Sequence, residues 1–194
     1  MIIPAAEKYK KEAIPSFKKE FGFKNDMAVP KLTKITINCG FGKLATSNPN
    51  NAKNLEERIV KAITLITGQK PALRGARKSI SGFKLREGQP VAYVVTLRGK
   101  RMYDFYDRLV NIALPRSRDF WGVDERKFDN KGNLNLGIKE HTIFPETAED
   151  ISGAPFGLEV NLTISSKTKE QGERLMQLMG MPLVTTDGSK KKKK

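Results

Sequence analysis

Hydrophobic positions recur along this chain in two periods. Tyr9, Ala13, Phe17 and Phe21 lie four apart among lysines, and that spacing predicts a helix over 5–21 with its apolar stripe turned to a core. Pro15 sits inside the stripe, where it either starts a second helical piece or kinks the first, because proline lacks the N–H and crowds the preceding turn. From Thr33 the period changes to two. Ile35, Ile37 and Cys39 alternate with Lys34, Thr36 and Asn38, a strand with one apolar and one polar face, ended by Gly40 and Gly42. After the turn-rich SNPNNAKN, residues Leu55, Ile59, Ala62, Ile63 and Ile66 mark an amphipathic helix that stops at Gly68. Residues 71–76 read as a short strand and 79–82 as a flexible tip. Pro90 then opens VAYVVTL, β-branched and aromatic, a well-buried strand.

Residues 100–114 predict a third helix with Met102, Phe105, Tyr106, Leu109, Val110 and Ala113 inward, ended by Pro115. The stretch 115–132 reads as loop. Alternation of Leu134, Leu136 and Ile138, and of Leu158, Val160, Leu162 and Ile164, predicts two more strands. Leu175, Met176, Leu178 and Met179 give a last helix over 168–180. The order α-β-α-β-β-α-β-β-α implies an α+β fold, a mostly antiparallel sheet with helices packed on one face and the other face left free. One domain is expected over 1–184. Residues 185–194 are too polar and charged to pack and are expected to form a disordered Lys-rich tail.

Charge changes this picture from a fold into a binding surface. With 38% hydrophobic and 29% charged residues the composition is globular, but the formal net charge is +15. Only five of those charges belong to the lysines at 190–194. Between 68 and 99 stand Lys70, Arg74, Arg77, Lys78, Lys84, Arg86 and Arg98, followed by Lys100 and Arg101, against a single acid, Glu87. A polyanion is the natural complement of such a stretch, since each cation that meets a phosphate releases a condensed counterion. Ser79, Gly82 and Phe83 lie between the flanking cations, where backbone can approach phosphate and Phe83 can anchor the loop or stack on a base. The polar strand face of Lys34, Thr36 and Asn38, together with Thr96, offers hydrogen-bonding groups without bulk. That suits the wide, shallow minor groove of an RNA helix, and no recognition helix for DNA is apparent. Residues 140–166 contain no Lys or Arg, while Glu140, Glu146, Glu149, Asp150 and Glu159 fall there. This is either a chance cluster on a solvated loop or an acidic lobe that faces away from RNA and meets a basic protein.

Catalysis finds little support. Cys39 and His141 are the only residues of their types, which leaves no disulfide framework, no zinc set and no Cys–His pair. His141 reads as a strand-end surface residue. GFGK at 40–43 lacks the glycine spacing and the following Ser or Thr of a phosphate loop, so a strand-end turn fits it better. Glu146, Glu149 and Asp150 have no neighbouring ligands spaced for a metal. No cofactor is expected. No apolar run approaches the ~18 residues of a membrane span, and MIIPAAEKYKKE carries charge early, so a soluble cytoplasmic protein without a membrane partner is expected.

Several stretches carry a family resemblance. ITGQKPALRGARKSISGFKLREGQPVAYVVTLRG, preceded by KITINCGFGK and followed by RMYDFYDRLVNIALPRSRDFWG, KFDNKGNLNLGIKEHTIFPE and LMQLMGMPLV, resembles the bacterial-type ribosomal protein five of the large subunit, the 5S rRNA-binding family. The resemblance implies a non-enzymatic ribosomal protein on the central protuberance, with 5S rRNA, 23S rRNA and neighbouring large-subunit proteins as partners. The positions matching the family's 5S rRNA contacts are Asn38, Gln69 and Thr96, with Lys34 and Arg98 as basic neighbours. Residues 76–90 match a mobile hairpin that reaches the P-site tRNA, which implies contacts from Arg74, Arg77, Lys78, Ser79, Gly82, Phe83, Lys84 and Arg86. Glu146, Glu149 and Asp150 fall in the half that bridges to a basic small-subunit head protein. Departures include Arg74-Gly75, Cys39-Gly-Phe41, Trp121 where the family often has Arg, and the segment ISGAPFGLEVNLTISS. The rivals are an RNA-modifying enzyme, which would need the catalytic groups missing above, and a chaperone that binds any RNA.

Overall fold

The first helical stripe folds as one rod, α1 (residues 5–21), made of Ala5–Lys8, a π-helical turn Tyr9–Ala13 and Ile14–Phe21. The wide turn answers the question that Pro15 posed. Ile14 N–H reaches back five residues to Tyr9 O, so the helix widens just before the proline and continues past it. The same device recurs in α4 (residues 99–116), where Leu109–Ala113 is π-helical and Leu114 N–H bonds Leu109 O ahead of Pro115. Pro115 therefore does not end that helix, which runs to Arg116. The structure is a computed structural model and describes residues 3–47, 52–83, 85–118, 120–148 and 155–184. The Lys-rich tail expected at 185–194 lies outside these.

The remaining elements are strand β1 (Leu32–Gly40), helices α2 (Gly42–Ser47) and α3 (Ala52–Thr67), strands β2 (Ala72–Gly75), β3 (Pro90–Leu97), β4 (Val123–Asp124), β5 (Leu134–Ile138) and β6 (Leu158–Ile164), helix α5 (Lys169–Leu178) and strand β7 (Leu183–Val184). Strands β2-β3-β1-β6-β5 make one antiparallel sheet in an α+β fold. The span 115–132, expected to be loop, contains β4, which pairs in parallel with β7. A two-residue strand has too little sequence for a periodic signal. GFGK crosses from the end of β1 into α2, so it is a strand-to-helix junction.

The described residues form two compact units, those within 3–35, 98–136 and 161–184 in one and those within 36–97 and 137–160 in the other. In the first, α1 packs on α4 and α5 through fully buried Ala13, Phe17, Phe105, Leu109 and Leu175. The α1 N-terminus is held by a carboxylate, Ala5 N–H donating to both Asp107 oxygens at 3.1 Å; a negative charge there also suits the helix dipole. Phe21, expected inward, is 39% exposed, yet its ring stacks on Phe17 at 5.1 Å. Gly172 of α5 meets the turn at Gly132 backbone to backbone, and a Cβ on Gly172 would overlap Gly132 O and Cα.

In the second unit α3 supplies Ile59, Ala62, Ile63 and Ile66, all buried as the stripe predicted. Only alternate residues of β3, namely Tyr93, Val95 and Leu97, are buried. That strand is covered on one face rather than buried on both. His141 overturns the surface expectation. It is 0% exposed and its ring lies on Phe156 at 3.8 Å, nearly parallel, with Phe156 N–H donating to Nδ1 at 3.4 Å. A single histidine between Glu140 and Thr142 has no periodicity to reveal that it faces inward.

Gly172→Ala tests the first unit. Helix propensity alone would stabilise it by about 1 kcal/mol, but backbone cannot yield to a methyl group as a flexible side chain can. We expect a net loss of roughly 2 kcal/mol, read as a lower urea midpoint at unchanged slope; a midpoint at or above that of the natural chain would refute the contact.

Candidate nucleic-acid interface

The sheet face opposite the core is polar because β1 alternates. Leu32, Ile35, Ile37 and Cys39 are buried, while Lys34, Thr36 and Asn38 are half-buried. Phe41 N–H bonds Val91 O at 2.9 Å, and Phe41 stacks on Tyr93 at 5.4 Å, so the end of β1 is tied to the start of β3. Counted back along an antiparallel pair from that bond, Thr36 falls opposite Thr96 and Asn38 opposite Val94. Thr96 is half-buried on the outward side of β3. On the neighbouring β6, Glu159 is exposed and accepts from Asn38 Nδ2 at 3.3 Å.

Gln69 belongs to the turn after α3. Gly68 takes the left-handed conformation (φ +67°) that ends the helix, and the buried Thr67 hydroxyl donates to Ile63 O and Gln69 O while accepting from Gln69 N–H at 3.2 Å. The Gln69 backbone is thereby fixed, and its side chain is half-buried with no hydrogen bond to Asn38 or Thr96 among the described residues. Arg98 is exposed at the junction of β3 and α4. The structure thus joins Thr36, Asn38, Thr96 and Glu159 on one sheet face. Gln69 sits on an adjoining turn, Lys34 lies on the outward side of β1 two residues before Thr36, and Arg98 follows the last residue of β3.

Beyond β2 and β3 the chain continues as an arm. Ala72, Leu73 and Arg74 pair with Val94, Tyr93 and Ala92, a bulge follows at Arg74/Gly75, and Gly75 stands against Pro90. The ladder resumes past the bulge: Ala76 N–H to Gln89 O at 2.9 Å, Gly88 N–H to Ala76 O at 2.9 Å, and a reciprocal pair between Ile80 and Leu85 at 3.0 and 3.1 Å. Ser79 Oγ accepts from Glu87 N–H at 2.9 Å, and Gln89 Oε1 accepts from Arg86 N–H at 3.1 Å. The tip, Ser81–Phe83, is a single 3₁₀ turn closed by the Ile80–Leu85 bridge. Gly82 is exposed in it. Ser79 serves the arm's own structure, and its base favours glycine, since Gly88 has φ +79° and a Cβ on Gly75 would come a tight 3.0 Å from Gly88 O.

Arg74, Arg77, Lys78 and Arg86 are exposed, and among the described residues none forms an ion pair. Lys84 and the Phe83 side chain lie outside the described residues. So do Glu149 and Asp150, while Glu146 sits half-buried in the 3₁₀ turn Pro145–Thr147. Of the described acids of 140–166, Glu159 stands beside Asn38 on the sheet face. Its alternation with Val160 and Leu162 was the available signal. Cys39 is buried, and burial pushes its thiol up to about 12, so a thiolate nucleophile is not available at neutral pH. Among the described residues no three His, Cys, Asp or Glu side chains are grouped to hold a metal, and no helix is long and apolar enough to cross a membrane.

Comparison with known proteins gives two matches that together span most of the chain. The family model for ribosomal protein L5 matches residues 25–86, and the model for the C-terminus of the same ribosomal family matches residues 90–183. Large ribosomal subunit protein uL5 of Synechocystis sp. is 48% identical over 174 residues, 90% of this chain and 94% of that protein. The uL5 proteins of Desulforapulum autotrophicum and Halothermothrix orenii are 48% and 45% identical, each covering 91% of this chain and 96% of the relative.

Two outcomes test this geometry. Hydrogen exchange should find the amides of Ala76, Ile80 and Leu85 protected. Gly88→Val, which forces a branched residue to positive φ at roughly 1–2 kcal/mol, should strip that protection with little change in melting temperature; equal protection in both chains would refute the ladder. Iodoacetamide at pH 8 should leave Cys39 unmodified in the native chain and alkylate it fully in denaturant, and rapid native labelling would contradict its burial.

Proposed function

Because the chain belongs to the ribosomal L5 family and is a structural constituent of the large ribosomal subunit, not an enzyme, we propose that its polar sheet face binds 5S rRNA. Asn38, Thr96 and the Gln69 turn make the contacts, with Lys34 and Arg98 meeting phosphates, and 23S rRNA adjoins in the central protuberance. The arm over 76–90 contacts P-site tRNA through Arg77, Lys78, Ser79, Lys84 and Arg86, with Gly82 and Phe83 at its tip and Arg74 of β2 at its base. The acids Glu146, Glu149 and Asp150 lie in the part that meets a basic small-subunit head protein.

One observation carries this reading. The arm holds exposed Arg77, Lys78 and Arg86, which among the described residues have no ion-pair partner, on a hydrogen-bonded hairpin, whereas Thr36, Asn38 and Thr96 on the sheet are neutral. A cationic arm suits phosphates of any sequence, while neutral donors and acceptors on an open sheet suit ribose hydroxyls and base edges. Two RNAs with different demands fit two such surfaces better than one RNA fits both.

The test separates them. Binding of 5S rRNA should weaken roughly tenfold or more between about 50 and 200 mM salt, as several phosphate contacts require. Replacing Arg77, Lys78 and Lys84 together by Ala should leave 5S rRNA affinity within about twofold while lowering P-site tRNA occupancy of reconstituted large subunits roughly tenfold. Equal loss for both RNAs, or salt-independent 5S rRNA binding, would overturn the division.

A further inference from the structure

The polar sheet face contains a carboxylate where phosphate has least use for one. Glu159 is exposed on β6, its one hydrogen bond comes from Asn38 Nδ2 at 3.3 Å, and among the described residues no Lys or Arg pairs with it. The chain has 36 Lys and Arg, so this isolation is not for want of cations. A carboxylate only accepts hydrogen bonds, and a phosphate also only accepts and repels it. RNA docked on this face therefore cannot place a phosphate at Glu159. What it can place there is a neutral donor.

An RNA minor groove offers two kinds. The ribose 2′-hydroxyl is one, and the 2-amino group of guanine is the only amino donor on that edge of a base pair. The hydrogen bond to Glu159 uses one N–H of Asn38 and leaves its second N–H and its carbonyl. The pair thus offers a donor next to a strong acceptor. Guanine presents the complement, its N3 acceptor beside its 2-amino donor. Thr36 and Thr96, small and uncharged on the same face, leave the sheet open to a shallow groove.

We propose that Glu159, aligned by Asn38, is an RNA-reading residue that accepts a hydrogen bond from a minor-groove donor of the bound RNA. This rests on the assignment of the sheet face to 5S rRNA. Glu159 adds discrimination there, because an RNA that cannot supply the donor leaves a carboxylate desolvated and unpaired.

Analogue interference tests it with the full chain. 5S rRNA carrying scattered inosine, which lacks the 2-amino group, or scattered 2′-deoxynucleotides is bound to the natural chain, to Glu159→Ala and to Asn38→Ala. With the natural chain, at least one substitution should interfere, and that signal should vanish with Glu159→Ala; an inosine signal identifies the guanine amino group and a deoxy signal the ribose. Unmodified 5S rRNA should bind Glu159→Ala roughly tenfold more weakly at an unchanged salt slope, since no phosphate contact is lost, and the exposed position should leave the melting temperature alone. Equal or tighter binding by Glu159→Ala with an unaltered interference map would overturn the proposal. So would a signal lost only with Asn38→Ala, which would make Glu159 a support for Asn38. Failure of the natural chain to bind 5S rRNA would instead remove the sheet-face assignment, and this inference with it.

Discussion

The side chains of β1 alternate between a carbon-lined interior and an open sheet face, and a slip of one residue would exchange the two sets. Ile35, Ile37 and Cys39 are each at most 1% exposed, and a fully buried aliphatic side chain contributes about 1.5–3 kcal/mol. The slipped register would lose that burial and push Lys34, Thr36 and Asn38 into the core, where an unpaired cation costs several kcal/mol more. Two large terms of the same sign thus hold the register. The same alternation fixes β3 through Tyr93, Val95 and Leu97 and β6 through Leu158, Val160, Leu162 and Ile164. The outward set of Thr36, Asn38, Thr96 and Glu159 needs no interactions of its own to stay in place. The core positions it.

The arm is held differently. β2 is exposed along its whole length, so hydrophobic burial contributes little beyond Tyr93, and the geometry rests on the backbone ladder and on the Ser79 and Gln89 side chains. Its cations do nothing for its stability. Elsewhere the chain does pair charges, as in Arg174 Nε to Glu20 at 2.7 Å, Lys11 to Glu7 at 2.8 Å and Lys18 to Asp26. Exposed pairs contribute no more than about 1 kcal/mol, so an arm with Glu87 as its single acid gives up little stability. Arg74, Arg77, Lys78 and Arg86 form no ion pair among the described residues.

Legibility in the sequence followed from periodicity. Strands β1, β5 and β6 and helix α3 are readable because each has one buried face, and spacing alone places Asn38 on the outward side, whereas the run of apolar residues in VAYVVTL hides the outward side of β3 on which Thr96 lies. Where burial has no period, the reading failed. His141 is buried by a ring stack and a backbone hydrogen bond, neither of which leaves a pattern. Proline rules stopped α4 at Pro115, but the π-helical turn ahead of it supplies the room that the rule denies. Glu159 was visible on the outward face of its strand, yet grouping acids by their distance along the chain set it with Glu146. The sheet brings together Asn38 and Glu159, which are 121 residues apart. The specific RNAs came from the resemblance and not from charge, which indicates only a polyanion.

Separating charge from the neutral face has a physical consequence for recognition. At physiological salt, attraction to phosphate extends only about 8 Å from an exposed cation, but it requires no alignment, so an arm with the proposed role would engage RNA in many orientations. The sheet face acts only at hydrogen-bonding distance and only when donors meet acceptors. If the cations were spread over the sheet as well, sequence-independent attraction would hold mismatched RNA there as firmly as the right one. A face on which Thr36, Asn38 and Thr96 are neutral and Glu159 is a carboxylate weakens that attraction where the proposed discriminating contacts lie. On the proposed division, affinity for the RNA on the sheet can then be raised through Lys34 and Arg98 without eroding selectivity between them.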